Sequence, residues 1–150
     1  MSQLQFAIRK VVVTGATTLA ITFRDGFVGH VDLAGMIARH PTLKRLRDPK
    51  VFAKVARDEW NLGIVFAGDD ALSMAGDNLR NLAIEQAGGV GHARVIEWMW
   101  RNGLTLEAAA DALGISRRML AYYRSGEKPI PKTVGLAMLG WETVQTRKAA

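Results

Sequence analysis

Arg117 and Arg118 follow Ser116 at the start of a segment, running to about Ser125, in which Leu120 and Tyr123 recur at helical spacing. That spacing turns Leu120 and Tyr123 inward and sends Arg117, Arg118, Ala121 and Tyr122 outward. Two guanidinium groups at the N-terminal end of an exposed helix suit bidentate hydrogen bonding to guanine in a major groove. Tyr122, one turn after Arg118, is placed to meet a base edge or a methyl group. Ser116 is the expected N-cap of this helix, and the free N–H groups behind it form a positive end that suits a phosphate. Lys128 and Lys132 flank the helix as candidate phosphate contacts. Thr133, at the start of the next helix, offers a backbone N–H to a phosphate.

The charge distribution supports that chemistry. The chain has 150 residues, with 20 Lys plus Arg against 14 Asp plus Glu, a formal net of +6. Residues 1–90 hold 11 basic and 9 acidic side chains, and residues 91–150 hold 9 and 5. Ser116–Lys132 alone contains Arg117, Arg118, Arg124, Lys128 and Lys132 against Glu127, dense enough to set up a local positive field.

The elements that position these residues read as an all-helical C-terminal domain. One helix is predicted over His92–Asn102, with Val95, Ile96 and Met99 on one face and Gly103 as its stop. Thr105 is the N-cap candidate for a helix over Glu107–Leu113, in which Ala110 is small enough for a close helix crossing. Gly114 supplies the positive φ of a tight turn, and Ile115 and Leu120 fill the space between the two helices. Gly126 ends the Ser116–Ser125 helix. Pro129 and Pro131 shape a turn before a fourth helix over Lys132–Glu142.

Ahead of Gly88-Gly89-Val90-Gly91, the pattern changes to short strands. Val11–Val13 and Thr18–Phe23 are strand-like, Arg24-Asp25-Gly26 is a turn, and Val28–Val31 completes a hairpin. Leu33, Met36 and Ile37 then take helical spacing up to His40-Pro41. Asp48-Pro49 opens a short helix with Val51, Phe52 and Val55 inward. Leu62–Phe66 is a further strand, followed by a Gly68-Asp69-Asp70 turn. Asp77 caps a helix over Asn78–Ala87. The fold class expected is an α+β domain with short antiparallel strands over residues 1–88, followed by a helix-turn-helix bundle of four or five helices over 89–150.

The segment from about His92 to Glu142 resembles the lambda-repressor-like (Xre/Cro-type) helix-turn-helix domains. Ala110, Leu113-Gly114-Ile115-Ser116, Leu120, and Ser125-Gly126 followed by basic residues and prolines carry that likeness. It implies a bundle that reads the major groove, commonly as a homodimer. Arg117, Arg118 and Tyr122 then fall on bases, and Thr105, Lys128 and Lys132 on phosphates. Leu106 and Arg124 depart from it, standing where the family often has Gln and Glu. The N-terminal part resembles a small bacterial domain family of unknown function, through Ile21-Thr22-Phe23-Arg24-Asp25-Gly26, Val31-Asp32-Leu33, a Leu46/Phe52 region and Gly68-Asp69-Asp70.

Other classes find little in the sequence. There is no cysteine, so disulfide scaffolds, Cys-based zinc sites and thiol catalysis are excluded. The three histidines, His30, His40 and His92, lie far apart in the chain, and Asp69, Asp70 and Asp77 read as turn and cap residues rather than as a metal site. No paired acid and base or nucleophile motif points to an enzyme, and no cofactor is expected. No apolar run approaches the ~18 residues of a membrane span. The expectation is a cytoplasmic DNA-binding transcriptional regulator that partners double-stranded DNA. The alternative is an antitoxin-like module that binds a protein partner through its N-terminal domain and uses DNA binding for autoregulation.

Overall fold

The computed structural model describes residues 4–149. The chain divides into two compact units, the first ending at Ala87 and the second beginning at Gly88.

The first unit is built on two three-stranded antiparallel sheets. One comprises β1 (Ile8–Val13), β2 (Thr18–Phe23) and β3 (Val28–Asp32), in that order. Alternation along β2 sends Leu19, Ile21 and Phe23 into the core, and Val31 joins them from β3. The other comprises β4 (Val55–Arg57), β5 (Gly63–Phe66) and β6 (Asp69–Ala75). It contributes Ile64, Phe66, Leu72 and Met74 to the same core. Phe23, Phe52 and Phe66 are fully buried. At roughly 1.5–3 kcal/mol each, they outweigh exposed ion pairs such as Arg45–Asp69, which are worth at most about 1 kcal/mol.

Between the sheets in sequence run α1 (Ala34–Arg39), a 3-10 helix over Pro41–Arg47, and α2 (Pro49–Phe52), which Asp48 caps by accepting from the Lys50 N–H. Helix α3 (Gly76–Gln86) lies against β3, close enough that a Cβ on Gly29 would stand 2.8 Å from that of Ala83.

Three local expectations change, and a stretch without one, Pro41–Arg47, takes a definite form. Pro41–Arg47 is helical, because Leu43 and Leu46 are three residues apart and both bury, as 3-10 geometry requires. Val55 belongs to a strand rather than to the preceding helix, since it pairs with Phe66. Asp69 and Asp70 open β6 instead of forming a turn, and the reversal falls on Ala67-Gly68, both with positive φ. Asp77 lies inside the first turn of α3, and Ala75 occupies the N-cap position. Pairing with β5 decided the points at Val55 and at Asp69-Asp70, and the local sequence pattern does not record it.

Arg80 on α3 is the main polar fixture of this unit. It pairs with Asp25 at 2.8 Å, donates to the Gln5 carbonyl at 2.7 Å, and lies over the Phe27 ring at 4.4 Å. Partial burial works to raise the Asp25 pKa. The hydrogen bond and charge of Arg80, together with the Phe27 N–H, outweigh that and hold it below the usual carboxylate value. A carboxyl whose folded pKa is depressed stabilises the fold fully above its unfolded pKa of about 3.9, and loses that contribution as pH falls through the lower folded value. Thermal unfolding followed from pH 6 to pH 2 is therefore expected to show a midpoint that falls less steeply below about pH 4 in Asp25→Asn than in the parent chain. Equal steepness in the two proteins would remove Asp25 as a contributor.

Candidate nucleic-acid interface

The second unit has four helices: α4 (His92–Arg101), α5 (Leu106–Leu113), α6 (Arg117–Ser125) and α7 (Lys132–Ala149). Its core gathers Val95, Trp98 and Met99 from α4, Ala109 and Ala110 from α5, Leu120 and Tyr123 from α6, and Val134 and Met138 from α7. Trp98 is fully buried and meets Trp141 edge-on at 5.5 Å, whereas Trp100 is exposed. Ile96 was expected inward but is exposed, because Val95, Trp98 and Met99 already fill the i, i+3, i+4 stripe that faces the bundle. Helix α7 runs to Ala149, beyond the Glu142 end read from the sequence.

The geometry of α5, the turn and α6 follows from its caps. Thr105 Oγ1 accepts from the Ala108 N–H at 3.1 Å and starts α5. Gly114 ends that helix at φ +69°, a left-handed conformation that costs a residue with a Cβ about 1–2 kcal/mol. Ser116 Oγ then accepts from the Met119 N–H at 3.1 Å and starts α6 only two residues later. The side chains of Ala109 and Ala110 are small enough to let α6 lie close to α5, and Leu120 closes the gap with no exposed surface. With Leu120 and Tyr123 committed inward, the opposite face of α6 is left to solvent.

That face carries the residues singled out from the sequence. Arg117 and Arg118 are both exposed at its first turn. Arg117 makes no hydrogen bond or ion pair among the described residues. Arg118 Nε donates to the Tyr122 hydroxyl at 3.2 Å, and the Lys128 ammonium sits 4.4 Å from the centre of the Tyr122 ring. Arg118, Tyr122 and Lys128 therefore form one cluster, with the half-buried tyrosine as its platform. The i, i+4 spacing of Arg118 and Tyr122 is a signal of this contact in the sequence, and the structure adds Lys128 to it. Exposed cation–π contacts are worth about 0.5–1 kcal/mol, weak enough for either cation to be exchanged for a phosphate or a base.

The remaining residues fall into two groups. Thr105 and Ser116 are helix caps whose hydroxyl oxygens already serve backbone N–H groups. Lys132 and Thr133 are exposed at the start of α7, where the Val134 and Gly135 N–H groups turn back to the Pro131 carbonyl. The Thr133 N–H is among those first-turn donors that a helix leaves without an intrahelical partner.

Two charges are withdrawn from this surface. Arg101 on α4 makes a bidentate pair with Glu142 on α7 at 2.9 and 2.7 Å, and Asn102 adds a third bond to the same carboxylate at 3.1 Å. Arg101 and then Asn102 hold the Glu142 carboxyl below its usual pKa. No group of three or more His, Asp or Glu able to hold a metal occurs among the described residues. Among the described residues no helix is long and apolar enough to cross a membrane.

A strand-built unit followed by a four-helix unit, with two capped helices around a glycine turn, defines the class of protein. The chain belongs to the family of NE0471 from Nitrosomonas europaea, a protein named as a candidate DNA-binding protein, whose crystal structure it matches at a TM-score of 0.82. The two are 41% identical, and the match covers 90% of this chain and 85% of that one. No family model and no curated protein sequence matches the chain.

The double use of Ser116 as cap and phosphate contact can be separated by substitution. Ser116→Ala is expected to lower unfolding free energy by about 1 kcal/mol through loss of the cap. Ser116→Asp keeps a good cap and adds a negative charge, so denaturant unfolding is expected to stay near the parent while DNA retention falls. Undiminished retention by Ser116→Asp would place Ser116 away from the phosphates.

Proposed function

We propose that the chain is a sequence-specific DNA-binding transcriptional regulator whose second unit works as a helix-turn-helix domain. Helix α6 enters the major groove, Arg117 and Arg118 read guanine, and Tyr122 lies against the neighbouring base while holding Arg118. Thr105, Ser116, Lys128, Lys132 and the Thr133 N–H take phosphates. The observation that carries this reading is the pair of exposed arginines at the capped end of a helix whose opposite face is locked into the core. The DNA-binding description of NE0471 supports it.

A module of this size touches few base pairs. Useful affinity then calls for two copies on half-sites about one helical turn apart, so we propose a homodimer on DNA.

Selection from a random duplex pool at two salt concentrations tests the reading, with an enriched inverted repeat containing guanines as the expected outcome. Retention at low salt with no enriched motif would reduce the role to generic phosphate binding. On the selected duplex, Arg117→Ala or Arg118→Ala is expected to cost roughly 1–3 kcal/mol, with a much smaller loss on unrelated duplex. Equal losses on both would remove these arginines from base readout. Lys132→Ala is expected to weaken all duplexes alike and to lower the salt slope by about one.

A further inference from the structure

The near-neutral charge of the first unit conceals a segregation. Between Arg39 and Arg57 lie seven basic side chains and one acid, Asp48. The rest of that unit, up to Ala87, has four basic side chains and eight acids. All seven cations are exposed, on the end of α1, the 3-10 helix, α2, the turn after it and β4.

The segment that carries them is anchored to the core. Leu43, Leu46 and Phe52 are buried and pin the segment to the core. In the 3-10 helix, side chains three apart eclipse, so Lys44 and Arg47 share a row distinct from the buried Leu43–Leu46 row. At ~2.0 Å rise per residue they stand ~6 Å apart along the axis, inside the ~8–10 Å screening length, so their fields add. Of the seven, Arg45 alone has an ion pair among the described residues, with Asp69. The Asp48 carboxylate is turned to the Lys50 N–H at 2.9 Å.

Like charges gathered this way repel one another and destabilise the unit, a cost that a polyanionic ligand removes. Two kinds of polyanion surface are disfavoured. Within residues 39–57 the only Phe, Tyr or Trp is Phe52, which is buried, so no aromatic platform is interleaved with these cations; the exposed Trp60 lies beyond Arg57. It exposes no large apolar side chain, so it lacks the face that enters a lipid surface. A duplex backbone needs neither.

We propose that Lys44, Arg47, Lys50 and Lys54 form a second phosphate-binding surface, which takes the backbone of duplex DNA without regard to sequence. The proposal rests on the DNA-binding reading of the chain and assigns a role to its first unit.

The test uses the full chain and a 30-base-pair duplex of random sequence. The salt dependence of binding is compared for the parent, for Arg117→Ala with Arg118→Ala, and for the combined Lys44→Gln, Arg47→Gln, Lys50→Gln and Lys54→Gln variant. Four lost phosphate contacts lower the slope of log K against log salt by about 3 to 4, at about 0.9 per contact. That drop, with the enriched motif unchanged, is the expected result. An unchanged slope in the four-site variant overturns this proposal, and weakened binding of the arginine variant to the selected duplex then leaves the α6 reading standing. No binding by the parent overturns both. Acetylation of Lys44, Lys50 and Lys54 in the parent, with and without duplex, gives a readout that does not depend on the variant folding. Protection of all three supports the surface, and equal modification in both states overturns it.

Discussion

The α6 surface depends on one packing constraint: Leu120 and Tyr123 are driven against Ala109, Ala110 and the bundle core. A helix of nine residues is marginal alone in water, so burial of its apolar stripe, rather than propensity, holds it. Once that stripe is fixed, the rotation of α6 about its axis is fixed as well. Arg117 and Arg118 cannot turn inward without taking Leu120 out of the core. The caps refine this arrangement. Gly114 lets the chain reverse within two residues, and Ser116 starts α6 at a defined point, so the arginines occupy its first turn. The Trp98–Trp141 contact and the Arg101–Glu142 pair tie the first and last helices of the unit around this core.

The cationic side chains of the second unit are held in different ways, and the difference bears on function. Arg101 is committed to Glu142 by a bidentate, charge-assisted pair. Arg118 and Lys128 rest on Tyr122 through weaker contacts that order them without consuming their charge. Arg117 and Lys132 extend into solvent. The surface thus combines partly ordered cations, which lose less side-chain entropy on binding, with free ones that supply charge. In the first unit the same accounting separates the half-buried Arg80, committed to a structural pair with Asp25, from the exposed cations of residues 39–57.

Much of the second unit was legible because its signals are local. Thr105, Gly114, Ser116 and Gly126 are caps, and a cap acts within a few residues of itself, so each was found where the sequence placed it. Ile96 was misread because spacing alone does not say which of two overlapping stripes faces the bundle. The first unit was harder to read. β4 and β6 are stabilised by pairing with β5, and nothing within Val55–Arg57 or Asp69–Ala75 announces that partner.

The sequence by itself determined the alternation that makes β2 and β3 a hairpin, the two-helix turn around Gly114, and which face of α6 is apolar. Those properties follow from residue type and spacing over one or two turns. Tertiary structure alone decided that Asp69 and Asp70 open a strand and that Trp98 rather than Ile96 enters the core. It also decided that Lys128 joins Arg118 on Tyr122, and that the cations of residues 39–57 stay exposed over the buried Leu43, Leu46 and Phe52. The Tyr122 cluster is local; the others are settled by which segment pairs or packs alongside, and burial against that segment outweighs the local preference.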